Sequence, residues 1–170
     1  MFDDGAPVWR FLTKLNAVED PERARTAQGG RFVIEVFPAL ALPSIDDAFF
    51  GRRRGPRYNP SRRRTYRADH WHMVIEAVAN EARRIACFQL AEWWREFQVR
   101  EQPRKSDQDL LDSAICLLVA LIWRLGSRGS SIMIGDLTTG YIVAPVSQVA
   151  RARLEAAAKT RMVRIDGQLG

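Results

Sequence analysis

Nothing in this 170-residue chain is long and apolar enough to cross a bilayer. The longest uninterrupted apolar stretch, Ala114 to Trp123, is about half of the roughly 20 residues a membrane span needs, and Arg124 closes it. The N-terminus, MFDDGAPVW, is acidic and lacks the apolar core of a signal peptide, so a cytoplasmic protein without membrane contact is expected. Cysteine is scarce. Cys87 and Cys116 stand far apart in no ligand-spaced motif, which argues against a zinc site or a disulfide framework; each reads as a buried free thiol within a helical pattern. Histidine is limited to His70 and His72, two apart in ADHWHMV and so about 200° apart around a helix, which makes no paired site. Also missing are a Walker-type phosphate loop, a Ser-His-Asp or Cys-His constellation and any internal repeat.

Acid is absent from one segment in particular. Residues 51–67, GRRRGPRYNPSRRRTYR, hold eight arginines and no Asp or Glu. The whole chain carries 26 basic and 20 acidic residues; without this segment 18 basic face 20 acidic, a net charge of −2. The sequence is thus a mildly acidic domain with one intensely basic insert, an electrostatic footprint for a polyanion, with nucleic acid first. Arg52, Arg53, Arg54, Arg57, Arg62, Arg63, Arg64 and Arg67 are the candidate phosphate contacts, and Tyr58 and Tyr66 could stack on bases. The plainer reading is a solvated loop.

An apolar fraction of 46% and five tryptophans indicate a globular chain long enough for one domain with its own core. Residues 7–18 read as a short amphipathic helix with Pro7 in its first turn. Residues 31–37, rich in β-branched and aromatic side chains, read as a strand ended by Pro38, with a short helix over 39–50. Gly51, Gly55, Pro56, Asn59 and Pro60 make the basic segment a loop. A helix is predicted over 68–99, with a possible break near Cys87 and a core stripe of Met73, Ile75, Val78, Ala79, Ala82, Ile85 and Ala86; Asp69 is placed as its N-cap. A second long helix spans 107–125, two strands lie within 130–144, and a last helix covers about 146–160. The order suggests α/β or α+β, with a thin sheet of three visible strands.

The carboxylates carry the chemistry. Glu35 sits inside RFVIEVFPA, where alternation makes both strand faces apolar, as in a central strand covered on both sides. Its alternative is a strand with one partly wet face, the acid reaching a neighbouring arginine. Asp109 and Asp112 are three apart on one face of a helix that looks apolar nearly all round. Asp109 could simply serve a capping box begun at Ser106, whereas Asp112 lies beyond the first turn and wants a partner. Acids from separate apolar elements suggest one shared cation, since an uncompensated buried carboxylate is costly. Oxygen ligands without Cys or His suit Mg²⁺ or Mn²⁺, ions that can activate water for phosphodiester cleavage. Asp136 is expected at a hairpin corner, and Trp93 and Trp94 in the core or an interface.

VIEVFPALAL, the basic Tyr-containing loop, DLLDSAICLLVA and IGDLTTGYIVAP follow one another in an order that resembles domain-of-unknown-function family 429, predicted RNase H-like nucleases, and more distantly Holliday-junction resolvases. The resemblance covers residues 31 to about 145. It implies an RNase H-like α/β fold, a mixed sheet with flanking helices, and a metal-dependent nuclease in which Glu35 matches a later-strand acid and Asp109 and Asp112 match the helix pair holding Mg²⁺ or Mn²⁺. This chain departs from the pattern at the superfamily's first-strand Asp, because Asp3 and Asp4 lie in a Gly- and Pro-flanked N-terminus. The expectation is that the chain is the C-terminal portion of a longer protein, or that a partner supplies the missing strands, or that catalysis is lost; an open sheet edge would also favour a homo-oligomer. A nucleic-acid-binding module without chemistry and a structural or assembly protein are the rival expectations.

Overall fold

The computed structural model describes residues 7–49, 55–98 and 102–169. Helix α1 (Pro7–Leu15) closes on Asn16 at φ 50°, where the Ala17 and Asn16 amides reach the Leu12 and Thr13 carbonyls at 3.2 and 3.1 Å. That pair of bonds is a Schellman cap. Strand β1 (Val18–Glu19), helix α2 (Pro21–Thr26) and strand β2 (Phe32–Val33) follow, with β1 and β2 paired in parallel. Asp20 starts α2 by accepting the Arg23 amide at 2.9 Å, and Pro21 occupies the first turn, where its missing N–H costs nothing.

The expected strand over 31–37 is divided, which corrects its reading as a central strand. Phe32 and Val33 pair with β1, and Val36 makes one isolated parallel bridge to Val143. Between them the side chain of Glu35 is exposed. An apolar run rich in β-formers therefore passes from one sheet to another instead of lying between two neighbours throughout.

Helix α3 (Pro38–Ile45) and a 3-10 turn (Asp47–Phe49) lead to the loop. The helical region after it breaks in two, α4 (Ala68–Arg84) and α5 (Phe88–Gln98). Ala86 adopts φ 59°, and the Cys87 and Ala86 amides bond the Ala82 and Arg83 carbonyls, again a Schellman cap. Trp71, Val74, Ile75, Val78 and Ala82 form the buried face of α4, whereas Met73 and Ile85 are half-buried and Ala86 exposed. Asp69 lies one residue inside the helix; the cap position belongs to Arg67, with which Asp69 forms an exposed ion pair at 3.3 Å.

Helix α6 (Lys105–Leu125) begins on the other half of a capping box: the Asp107 carboxylate accepts the Arg104 amide at 2.7 Å. Capping thus falls to Asp107, leaving Asp109 outside it. The helix is not apolar-buried all round, for Leu110 and Leu117 are 47% and 52% exposed. Strands β3 (Ser131–Asp136) and β4 (Gly140–Pro145) form the anticipated hairpin, with Asp136 accepting the Thr138 and Thr139 amides at its corner. Those bonds, Thr139 first, hold the Asp136 carboxyl below its ordinary range. After α7 (Gln148–Arg161) come two strands that the sequence reading lacked, β5 (Arg164–Ile165) and β6 (Gln168–Leu169), joined through Asp166 and Gly167, both at positive φ. The four strands order as β4-β3-β5-β6, every pair antiparallel.

The architecture is mixed α/β: seven α-helices flanking one two-stranded and one four-stranded sheet among the described residues. The chain divides into two compact units, residues 1–36 with 123–170, and residues 37–122. In the first, the Trp123 indole donates to the Pro21 carbonyl at 2.6 Å, while Arg124 donates to the Arg25 and Ala27 carbonyls. In the second, Leu42, Trp71, Trp94, Phe97, Leu111, Ile115 and Leu118 are fully buried. Cys87 and Cys116 are free thiols, half-buried where full burial was expected. No helix among the described residues is long and apolar enough to cross a membrane.

Candidate nucleic-acid interface

Residues 55–67 form a closed loop. The Arg67 amide bonds the Arg57 carbonyl at 2.8 Å, pinching the ends together, and the Arg57 amide donates to His70 Nδ1 at 2.8 Å. His70 therefore serves as an acceptor that anchors the loop to α4. At the tip, the Asn59 side chain accepts the Ser61 amide, and the Thr65 and Tyr66 amides both bond the Arg62 carbonyl, which winds 62–66 into a tight turn. Arg57, Arg62, Arg63, Arg64 and Arg67 are exposed. Arg67 pairs with Asp69, but Arg57, Arg62, Arg63 and Arg64 have no acidic partner among the described residues. Arg52, Arg53 and Arg54 lie outside the described residues.

Tyr58 is buried, 7% exposed, and its hydroxyl donates to Asp112 Oδ1 at 2.8 Å. Gln108, one turn earlier on α6, donates its Nε2 to Asp112 Oδ2 at 2.6 Å. Burial pushes the Asp112 carboxyl above its ordinary value, against the pull of these two donors. Burial, then the Asp112 charge, pushes the Tyr58 hydroxyl upward too, so it stays a donor. This overturns Tyr58 as a base-stacking residue: its ring is packed inside. Tyr66 is half-buried, with its hydroxyl buried and unpartnered.

The three candidate metal ligands fare differently. Asp109 is exposed and ion-paired with Lys105 one turn away. Asp112 has each carboxylate oxygen engaged by a protein donor. Glu35 belongs to the other compact unit; its amide donates to the Tyr141 hydroxyl at 3.2 Å and its carbonyl accepts the Val143 amide, while the carboxylate faces solvent. Among the described residues no three His, Cys, Asp or Glu side chains gather to hold a metal ion. Within the second unit, Asp109 held by Lys105 and Asp112 with both oxygens taken leave no open carboxylate oxygen pair for a Mg²⁺ or Mn²⁺ ion.

Gln108 is the residue the sequence reading missed. The signal was present, since a Gln four residues before an Asp on a helix is a hydrogen-bonding pair.

The chain belongs to the family described as Protein of unknown function (DUF429), whose model matches residues 5–136. No curated protein and no solved structure matches it.

Proposed function

We propose that this protein binds nucleic acid through the phosphate backbone, using the arginines of the 57–67 loop. The observation that carries the reading is the set Arg57, Arg62, Arg63 and Arg64: exposed, on a loop whose ends are tied, and without an acidic partner among the described residues. A merely solvated loop has no need of this order, and four unpaired guanidinium groups in one place repel one another until an anion joins them. Each phosphate neutralised on a duplex contributes about 0.9 to the slope of log K against log salt. Replacing Arg62, Arg63 and Arg64 by glutamine is expected to flatten that slope by roughly 2.7 in fluorescence anisotropy on a labelled duplex. An unchanged slope sinks the proposal.

Metal-dependent phosphodiester cleavage is the rival. One observation favours it: the bond from Tyr58 sets Asp112, with Asp109 on the same helix, at the foot of the basic loop. It requires Tyr58 and Gln108 to release the Asp112 oxygens. Calorimetric titration with MgCl₂ and MnCl₂ decides, the binding-module reading expecting no heat. Heat that disappears in Asp112→Asn would put the nuclease first.

A further inference from the structure

Asp112 and Tyr58 come from segments 54 residues apart, and theirs is the one side-chain hydrogen bond between the described part of the basic loop and α6. The loop's other ties run to α4, through His70 and Asp69. On the α6 side, Asp112 is itself held by Gln108 from the preceding turn. Gln108 is 7% exposed, and its Oε1 is buried without a hydrogen-bond partner. A glutamine this enclosed keeps its terminal amide beside the carboxylate it grips, whichever of its two ends faces that group.

The described loop is also one-sided in its chemistry. Its outward groups are guanidinium forks, which match phosphate oxygens. Of its two tyrosines, Tyr58 is buried and Tyr66 half-buried. Proteins that hold unpaired strands rely on aromatic platforms for the bases. The described residues 55–67 offer guanidinium groups for a backbone and no exposed ring.

We infer that Tyr58 and Asp112 form a clasp that positions the arginine loop, and that the loop reads the sugar–phosphate rail of paired nucleic acid without regard to base sequence. The inference rests on the binding proposed above. Tyr58, Asp112 and Gln108 are positioning residues, acting on the ligand only through the arginines they hold.

The chemistry of the clasp supplies its own control. Asparagine at position 112 keeps an oxygen that accepts the Tyr58 hydroxyl, and its amide can donate to the Gln108 oxygen if that side chain turns over. Alanine at 112 keeps neither bond. A metal ligand would tolerate neither change, since an amide in place of the charge disables it as alanine does. Asp112→Asn against Asp112→Ala therefore separates a clasp from a ligand.

The test is fluorescence anisotropy with the full chain, using a labelled mixed-sequence duplex, a second duplex of unrelated sequence and a single-stranded oligothymidylate of equal length. The wild type is expected to bind both duplexes equally and the single strand more weakly. Tyr58→Phe and Asp112→Ala are expected to weaken duplex binding about tenfold and flatten its salt slope, with Asp112→Asn restoring both. Circular dichroism checks that each variant is folded, and Tyr58→Phe, which changes one hydroxyl, carries the result should Asp112→Ala unfold. Tighter binding to the single strand, or a difference between the two duplexes, overturns the phosphate-rail inference. Wild-type slope and affinity in folded Tyr58→Phe overturn the clasp. No binding of the wild type to any of the three overturns the proposed function itself, a result distinct from the other two.

Discussion

Asp112 is the residue whose surroundings most shape its chemistry. Its carboxyl is raised chiefly by burial. A raised folded-state value means the contribution to stability is full below the ordinary carboxylate range, around pH 4, and is lost as pH rises through the folded value. Asparagine at 112 carries no proton to lose. The melting temperature of Asp112→Asn relative to wild type is therefore expected to climb as pH rises above about 4, followed by thermal denaturation at several pH values. A difference that stays flat across that range would mean the acid is as well solvated folded as unfolded. The sequence showed that Asp112 wants a partner, because position and neighbours alone place it past the first turn beside Leu111 and Ile115. It could not show that the partner is a tyrosine hydroxyl 54 residues away. Glu35 misled for a related reason: alternation says which side chains share a face, but not whether anything lies against that face.

At the level of elements, helix starts were legible in part: Pro7 heads α1 as read, but Asp69 lies inside α4 and the α6 capping box is closed by Asp107 instead of starting at Ser106. Three helices, however, end in Schellman caps whose left-handed residue is Asn16, Ala86 or Met162. Glycine is the usual signal for such an end, and none stands at these positions. Alanine pays a steric penalty there that glycine does not. Ala86→Gly is expected to stabilise the protein by about 1 kcal/mol in urea denaturation, with the α4–α5 break preserved. A destabilisation would mean that the break is imposed by packing that the alanine methyl group serves. Gly135 is the converse case. At φ +97° a Cβ would stand 2.2 Å from the Gly140 carbonyl oxygen, so the β3–β4 hairpin admits no side chain at that point. Strands β5 and β6 escaped the sequence because two-residue strands have too few positions for alternation to show.

Across the whole molecule, charge was read more securely than topology. Composition alone isolates the arginine-rich insert, and its described part is a loop with exposed arginines. The second compact unit, 37–122, is one continuous stretch and holds most of the helices. The first is assembled from the two ends of the described chain, and its defining bonds span long separations: Trp123 to Pro21, Arg124 to Arg25, Val143 to Glu35. No local pattern announces such pairings, which is why the 31–37 segment was assigned neighbours it does not have. The same arrangement sets an order for synthesis on the ribosome. Residues 37–122 make their contacts largely among themselves, while the segment carrying β1, α2 and β2 must wait for partners translated roughly a hundred residues later. A nascent chain arrested before Trp123 would leave that leading segment without its counterpart, as the first target for a chaperone.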